Sequence, residues 1–120
     1  MGNFIIKADP EEDFYILWST YTDSPIGYGT RQEFEDWEPE TYTDQRFERA
    51  DRTGTSYLLG CGSWEDDIRL VTGGTKPDHW YIPREHIRQV CVGLVDNDDN
   101  REAQQEIIDQ YCTAINYDEW

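Results

Sequence analysis

The sequence predicts an α+β fold, one mainly antiparallel sheet of about four strands with helices packed on it, in the order β-β-α-(α)-β-β-α-α. Three observations carry this. Residues Asp13 to Thr20 (DFYILWST) are nearly all apolar and rich in aromatic and β-branched side chains, which marks a central strand covered on both faces. Asp67 to Thr72 (DIRLVT) alternates instead, with Ile68 and Leu70 on one face and Arg69 and Val71 on the other. Ile87, Val90, Cys91 and Leu94 then recur at i, i+3, i+4 and i+7, the stripe of a helix facing a core. A chain of 120 residues makes one domain, large enough to bury a modest core without a metal or disulfide staple.

In chain order, Asn3 to Ala8 (NFIIKA) is a short apolar strand stopped by Asp9-Pro10, and Glu11-Glu12-Asp13 fits a hairpin into the central strand. Asp23 to Gly29 (DSPIGYG) reads as a loop because of its Pro and Gly content. Thr30 opens a helix with Glu33 three residues on, the T-x-x-E capping box. Phe34 and Trp37 are expected to share the face that packs on the sheet. Pro39 interrupts that helix or restarts it, since it pushes Glu38 away from helical angles.

A second helical piece runs from about Thr43 to Thr53, with Phe47 and Ala50 inward, Arg46, Arg49 and Arg52 every third residue, and Gly54 as its stop. Tyr57-Leu58-Leu59 is a brief candidate strand. His79 to Ile82 (HWYI) is the return strand after a Gly73-Gly74 and Lys76-Pro77-Asp78 turn. Pro83 sits in a first helical turn, where its missing N–H is harmless. Asp98, Asp99 or Asn100 caps the last helix, whose apolar face holds Ala103, Ile107, Ile108, Tyr111, Cys112 and Ile115. The tail from Asn116 to Trp120 is expected to fray unless Trp120 docks.

Charge is the dominant compositional fact. The formal net charge is −16, from 26 acids against 10 bases, and the pI is about 4.2. Such a surface repels nucleic-acid phosphates and anionic lipid, and attracts basic partners. The competing reading is an acidic surface that serves solubility alone. An aromatic content of 14% argues for a folded domain beneath that skin. The three cysteines, Cys61, Cys91 and Cys112, have no C-x-x-C spacing, which argues against a disulfide framework or a zinc ribbon. The N-terminus lacks a signal-peptide pattern, Ile6 stands where an acylation signal needs Ser or Thr, and no apolar run reaches membrane-spanning length. The expected location is the cytoplasm of a bacterial host.

The motifs that would carry chemistry fail on spacing. Asp96, Asp98 and Asn100 fit the first positions of a calcium loop, but Arg101 replaces the turn glycine and Ile107 the bidentate glutamate. Gly27-Tyr28-Gly29 lacks the third glycine of a phosphate loop and lies beside Glu33, Glu35 and Asp36, while Gly73-Gly74-Thr75-Lys76 lacks the Walker spacing. Asp66, Asp67, Asp78, His79, His86 and Cys61 are the candidates for a small hydrolase, and none of their spacings matches a metal motif. A Cys61–His79 or Cys61–His86 pair stays open, since such partners meet only in space. Neither metal nor cofactor is expected.

What remains is acid arranged in rows. Between Arg31 and Arg46 stand six carboxylates, Glu33, Glu35, Asp36, Glu38, Glu40 and Asp44, with no base among them. Phe34, Trp37 and Tyr42 are threaded through the same stretch. From Asp96 to Trp120 there are eight more, including Asp98, Asp99, Glu102, Glu106 and Asp109, against the single Arg101. Glu33, Asp36 and Glu40 fall on one helical face, as do Glu102, Glu106 and Asp109. The i,i+4 bases that normally neutralise such faces are missing from the pattern. DNA carries one charge about every 1.7 Å of its axis, and carboxylates held rigidly at several-ångström spacing imitate it. The expected partner-binding set is Glu33, Glu35, Asp36, Glu38, Glu40, Tyr42, Asp44, Asp98, Asp99, Glu102, Glu106 and Asp109. Trp37, Tyr42 and Trp64 are the aromatic candidates for anchoring an interface.

In size, charge and carboxylate-aromatic helices such as EFEDWEPE, the chain resembles the small acidic anti-defence proteins of bacteriophages and mobile elements, including DNA-mimicking anti-restriction and anti-CRISPR proteins. The segment DFYILWSTYTDSPIGYGTRQEF also resembles uncharacterised actinobacterial and actinophage proteins. The resemblance implies a non-enzymatic inhibitor that presses its acidic surface into the basic nucleic-acid-binding site of a host defence nuclease. It implies a basic protein partner, with no direct contact to nucleic acid or membrane. An immunity protein or antitoxin covering a basic toxin nuclease would use the same physics. A small hydrolase built on Asp66, Asp67, His79 or Cys61 is the enzymatic alternative.

Overall fold

In the computed structural model, which describes residues 3–57, 62–72 and 77–115, the alternation of side chains along three short strands organises the molecule. Strands β1 (Asn3–Lys7), β2 (Tyr15–Ser19) and β3 (Ser24–Gly29) form an antiparallel sheet in that order, with β2 in the centre. Pairing Phe4 with Trp18 and Ile6 with Ile16 sets these four side chains on one face, while Ile5, Tyr15 and Leu17 point to the other. All five residues of β2 are buried, as its two-sided apolar run predicts.

Each face has its own cover. On the Ile5–Tyr15–Leu17 face lie α1 (Arg31–Trp37) and α2 (Asp44–Thr53), contributing Phe34, Phe47 and Ala50 to a small aromatic core. On the Phe4–Trp18 face lies a second antiparallel sheet of β4 (Ile68–Val71), β5 (His79–Ile82) and β6 (Thr113–Ala114), together with α3 (Ile87–Asp96) and α4 (Arg101–Tyr111). Ile68, Leu70, Trp80 and Ile82 from that sheet join Ile87, Val90, Cys91, Leu94 and Ile108 in the larger core. The class is α+β, but its strands divide between two three-stranded sheets, where one of about four strands was expected.

Three local expectations change. Residues 24–29 form β3, whereas their Pro and Gly content predicts a loop. Pro25 and the register shift between Leu17 and Trp18 are tolerated because β3 is an edge strand. Gly27 and Gly29 lie opposite Leu17 and Tyr15, on the face where α1 packs, and a Cβ at Gly29 would sit 3.4 Å from the Glu33 side chain. The last helix stops at Tyr111, because Cys112 is extended (φ −100, ψ 158), and Ile115 is buried after the short strand β6 rather than on the helix. The candidate strand at Tyr57 to Leu59, the turn at Gly73-Gly74 and the tail from Asn116 lie wholly or partly outside the described residues.

The helix ends follow the sequence closely. The Thr30 hydroxyl accepts from Glu33 N–H at 3.2 Å, and Glu33 Oε1 accepts from Thr30 N–H at 3.0 Å, completing the capping box. Glu38 leaves the helix at φ −143, ψ 79 before Pro39. Asn100 caps α4 by accepting from Ala103 N–H at 3.1 Å. Gly54 ends α2 in the left-handed region at φ +93, and a Cβ there would fall 2.9 Å from both Arg84 Nη2 and the Trp64 backbone nitrogen.

Arg84 is the bolt between the layers. Its guanidinium donates to the carbonyls of Lys7, Ala8, Gly54 and Ser63 and lies 4.9 Å over the Trp64 ring. One side chain thereby ties the end of β1, the end of α2 and the 62–67 segment to the short turn that precedes α3. Burial pulls its pKa down to about 10, which leaves it charged at neutral pH.

Candidate acidic interface

The acidic stretch of α1 is not the uniform row that its spacing predicts. Arg31 Nε pairs with Glu35 at 3.0 Å, one helical turn on, and Arg31 Nη2 pairs with Asp44 at 2.6 Å. The guanidinium also lies 4.7 Å over the Phe47 ring. An i,i+4 base is therefore present, and it pairs with both Glu35 and Asp44, offsetting one of their two charges while stapling α1 to α2. Glu33 is exposed, with one of its oxygens committed to the cap. Asp36 accepts from Gln32 Nε2 at 2.8 Å, and Asp36, Glu38 and Glu40 are exposed without an ion pair among the described residues. The open charge of this face is Glu33, Asp36, Glu38 and Glu40.

The aromatics exchange the places their spacing assigns. Trp37, expected in the core beside Phe34, is 61% exposed, and Tyr42, expected at the surface, is only 2% exposed. The cause is the early stop at Pro39. The chain turns back after Glu38, whose carbonyl accepts from both Thr41 N–H and Tyr42 N–H at 3.1 Å. Tyr42 thereby reaches Phe34 edge-on, at 5.1 Å between ring centroids, and takes the inward site. Trp37 lies over the same tyrosine, 5.9 Å away and inclined by 21°, with the rest of its ring in solvent. Burial pushes the Tyr42 hydroxyl pKa up, and the nearby Glu38 charge adds to the shift. Tyr42 therefore lies beneath this acidic face and is not part of its surface. Trp64 is half-buried, with Nε1 donating to the Arg52 carbonyl at 3.1 Å.

The second row is plainer. Asp98, Asp99, Glu102, Glu106 and Asp109 are all exposed, with no ion pair among the described residues. Asp109 accepts from Gln105 Nε2 at 2.9 Å. Asp98 and Arg101 line a groove of about 380 Å³ that reaches Ser24 and Pro25 at the start of β3. Asp118 and Glu119 lie outside the described residues.

Strand β3 is where the two rows approach each other. The Tyr28 hydroxyl donates to Asp96 Oδ1 at 2.7 Å. That hydrogen bond, with some burial and the negative charges of Asp96 and Glu33, raises the pKa of Tyr28. The phenol thus feels the start of the α1 row and the end of α3 at once. The Tyr28 ring stacks on Phe14 at 5.5 Å, and Arg88, ion-paired with Glu12, covers Phe14 from 4.4 Å. Sequence reasoning passed over Tyr28 and Ile26, which is 52% exposed, because the segment reads as a loop.

The hydrolase candidates are scattered among structural partners. Asp66 accepts from the Ser63 hydroxyl at 3.2 Å, Asp67 accepts from Arg84 N–H at 3.4 Å, and Asp78 lies 3.0 Å from His79 Nδ1. His86 packs on Tyr111 at 5.1 Å. Cys61 lies outside the described residues, among which no three His, Cys, Asp or Glu side chains gather as a metal site. No helix of the described residues is long and apolar enough to cross a membrane.

Fold and surface together define an acidic α+β protein with exposed carboxylates on α1, on α4 and in the turns that adjoin them. No protein-family model, no curated protein and no solved structure matches the chain, so its own residues carry any functional reading.

Proposed function

We propose that this protein is a non-enzymatic inhibitor that blocks the basic nucleic-acid-binding site of a host defence nuclease of the anti-restriction or anti-CRISPR target type. The observation that supports this reading is the approach of the two acidic segments at β3, where the Tyr28 phenol is bonded to Asp96 and lines one recess with Glu33. Exposed acidic segments that meet at one strand attract a basic channel over long range, and the net charge of −16 steers the encounter. Exposed Trp37 adds the aromatic anchor that charge alone does not provide.

The test is competition. Increasing protein should displace labelled duplex DNA from a target nuclease, with an affinity that falls steeply between low and high salt. An affinity indifferent to salt would sink the proposal. Reversing Asp36, Glu38 and Glu40 together to Lys should weaken inhibition by about a hundredfold or more, since several close charge pairs turn repulsive. Glu33 is left out of that variant because it caps α1.

A further inference from the structure

Between β3 and α1 lies a recess of about 220 Å³ lined by Gly27, Tyr28, Glu33, Phe34 and Trp37. Its making can be followed residue by residue. Gly27 contributes no side chain where β3 meets the helix, and a Cβ there would meet only Leu17, at 3.8 Å. Phe34 closes the floor as part of the small core. Trp37 stands at the rim, held from behind by its stack on buried Tyr42. Glu33 Oε1 is fixed by the Thr30 N–H, and the second oxygen has no partner among the described residues. The lining contains no base, and Arg31, the one base of α1, is engaged by Glu35 and Asp44.

A preorganised indole face beside a fixed carboxylate has a specific chemical complement. A guanidinium is planar, lies flat on an aromatic ring and meets a carboxylate through directed N–H bonds. An ammonium is more strongly hydrated and gains less from the ring. A neutral apolar side chain would leave Glu33 desolvated without compensation. Asp96 is bonded to the Tyr28 hydroxyl of the lining, and Asp36 stands one turn on from Glu33 in α1, so further acids lie nearby.

We infer that this recess receives one arginine side chain of a basic protein partner, with its guanidinium on the exposed Trp37 indole and paired to the Glu33 carboxylate. The inference rests on the proposed inhibitor reading and names the contact that anchors it. It assigns Trp37 and Glu33 the specificity and leaves the remaining acids the role of steering.

The probe is the capped tripeptide acetyl-Gly-Arg-Gly-amide, titrated into ¹⁵N-labelled full-length protein. The citrulline, lysine and leucine counterparts serve as controls. The arginine peptide should shift the Trp37 indole and Gly27 amide resonances saturably, and bind about fivefold tighter than the citrulline and leucine peptides. Trp37→Ala and Glu33→Gln should each weaken it about fivefold. Gln at that position still accepts from Thr30 N–H, so the cap survives. Unmoved Trp37 and Gly27 resonances, or a leucine peptide that binds as tightly as arginine, would overturn the assignment. A parallel salt titration with poly-lysine separates the two ideas. Salt-sensitive poly-lysine binding with a silent Trp37 defeats the recess and leaves the acidic face standing. Saturable arginine binding without poly-lysine binding supports the recess and defeats the acidic-face reading.

Discussion

The two layers that cover the first sheet are built by different physics. Behind the Phe4–Trp18 face, β4, β5, α3 and α4 bury a large, mainly aliphatic core. Behind the opposite face, α1 and α2 bury a smaller set dominated by rings, Tyr15, Phe34, Tyr42 and Phe47. This thinner layer is fastened by polar pins. Lys7 Nζ and the Tyr15 hydroxyl both reach Asp51 Oδ1, at 2.7 and 2.5 Å, and Arg31 holds Glu35 and Asp44. The layer carrying Trp37 and the recess therefore leans on charged pins reaching into its packing, whereas the layer behind it is held mainly by aliphatic burial, with its ion pairs, Arg88–Glu12 and His79–Asp78, outside that core.

The largest change expected is from Phe47→Ala. That ring is fully buried, meets Tyr15 edge-on at 5.0 Å and lies under Arg31, so its loss should cost about 4 kcal/mol. Hydrogen exchange should show the α1 and α2 amides losing protection before those of α3. Equal loss in all three helices would mean that the layers unfold as one unit.

Arg84→Met attacks the joint between the layers. Four carbonyls lose a hydrogen bond, although those of Gly54 and Ser63 still accept from Lys7 N–H and Asp66 N–H, and chemical denaturation should show a loss of about 3 kcal/mol. A neutral outcome would show that water replaces the guanidinium without cost.

Asp51→Asn should cost about 1 kcal/mol at neutral pH. Burial pushes the Asp51 carboxyl up, but the hydrogen bonds and charge of Lys7 and the hydrogen bond from Tyr15 outweigh it and hold the pKa below the ordinary value. The folded-state pKa is depressed, so the stabilisation is complete above the unfolded value of ~3.9 and disappears as the pH falls through the folded value. Thermal melts of wild type and variant should therefore differ at pH 7 and converge in strong acid. A gap that persists in acid would assign the effect to packing.

The smallest effect belongs to Arg31→Gln, about 0.5 kcal/mol, because both of its ion pairs are substantially solvated. Its signature is salt dependence. The difference from wild type should shrink as ionic strength rises.

Local signals were legible to the residue. Thr30 and Glu33 formed the predicted capping box, Pro39 stopped α1, Gly54 stopped α2, and the stripe from Ile87 to Leu94 faced the core. These features depend on neighbours within about one turn, which a linear sequence displays. The recess was not legible, because it depends on β3 pairing with β2 and on Tyr42 folding back beneath α1. Neither leaves a periodic trace.

By itself, then, the sequence determined the α+β class, the helix ends, the two-sided burial of β2 and the acidity of the surface, since propensity, capping and charge are properties of short segments. Only the tertiary structure decided how the strands divide between two sheets and which aromatic faces water. It also decided which carboxylates Arg31 pairs with. Each of these is a competition between distant residues for one place in space, and the place goes to the side chain that the packed chain delivers there.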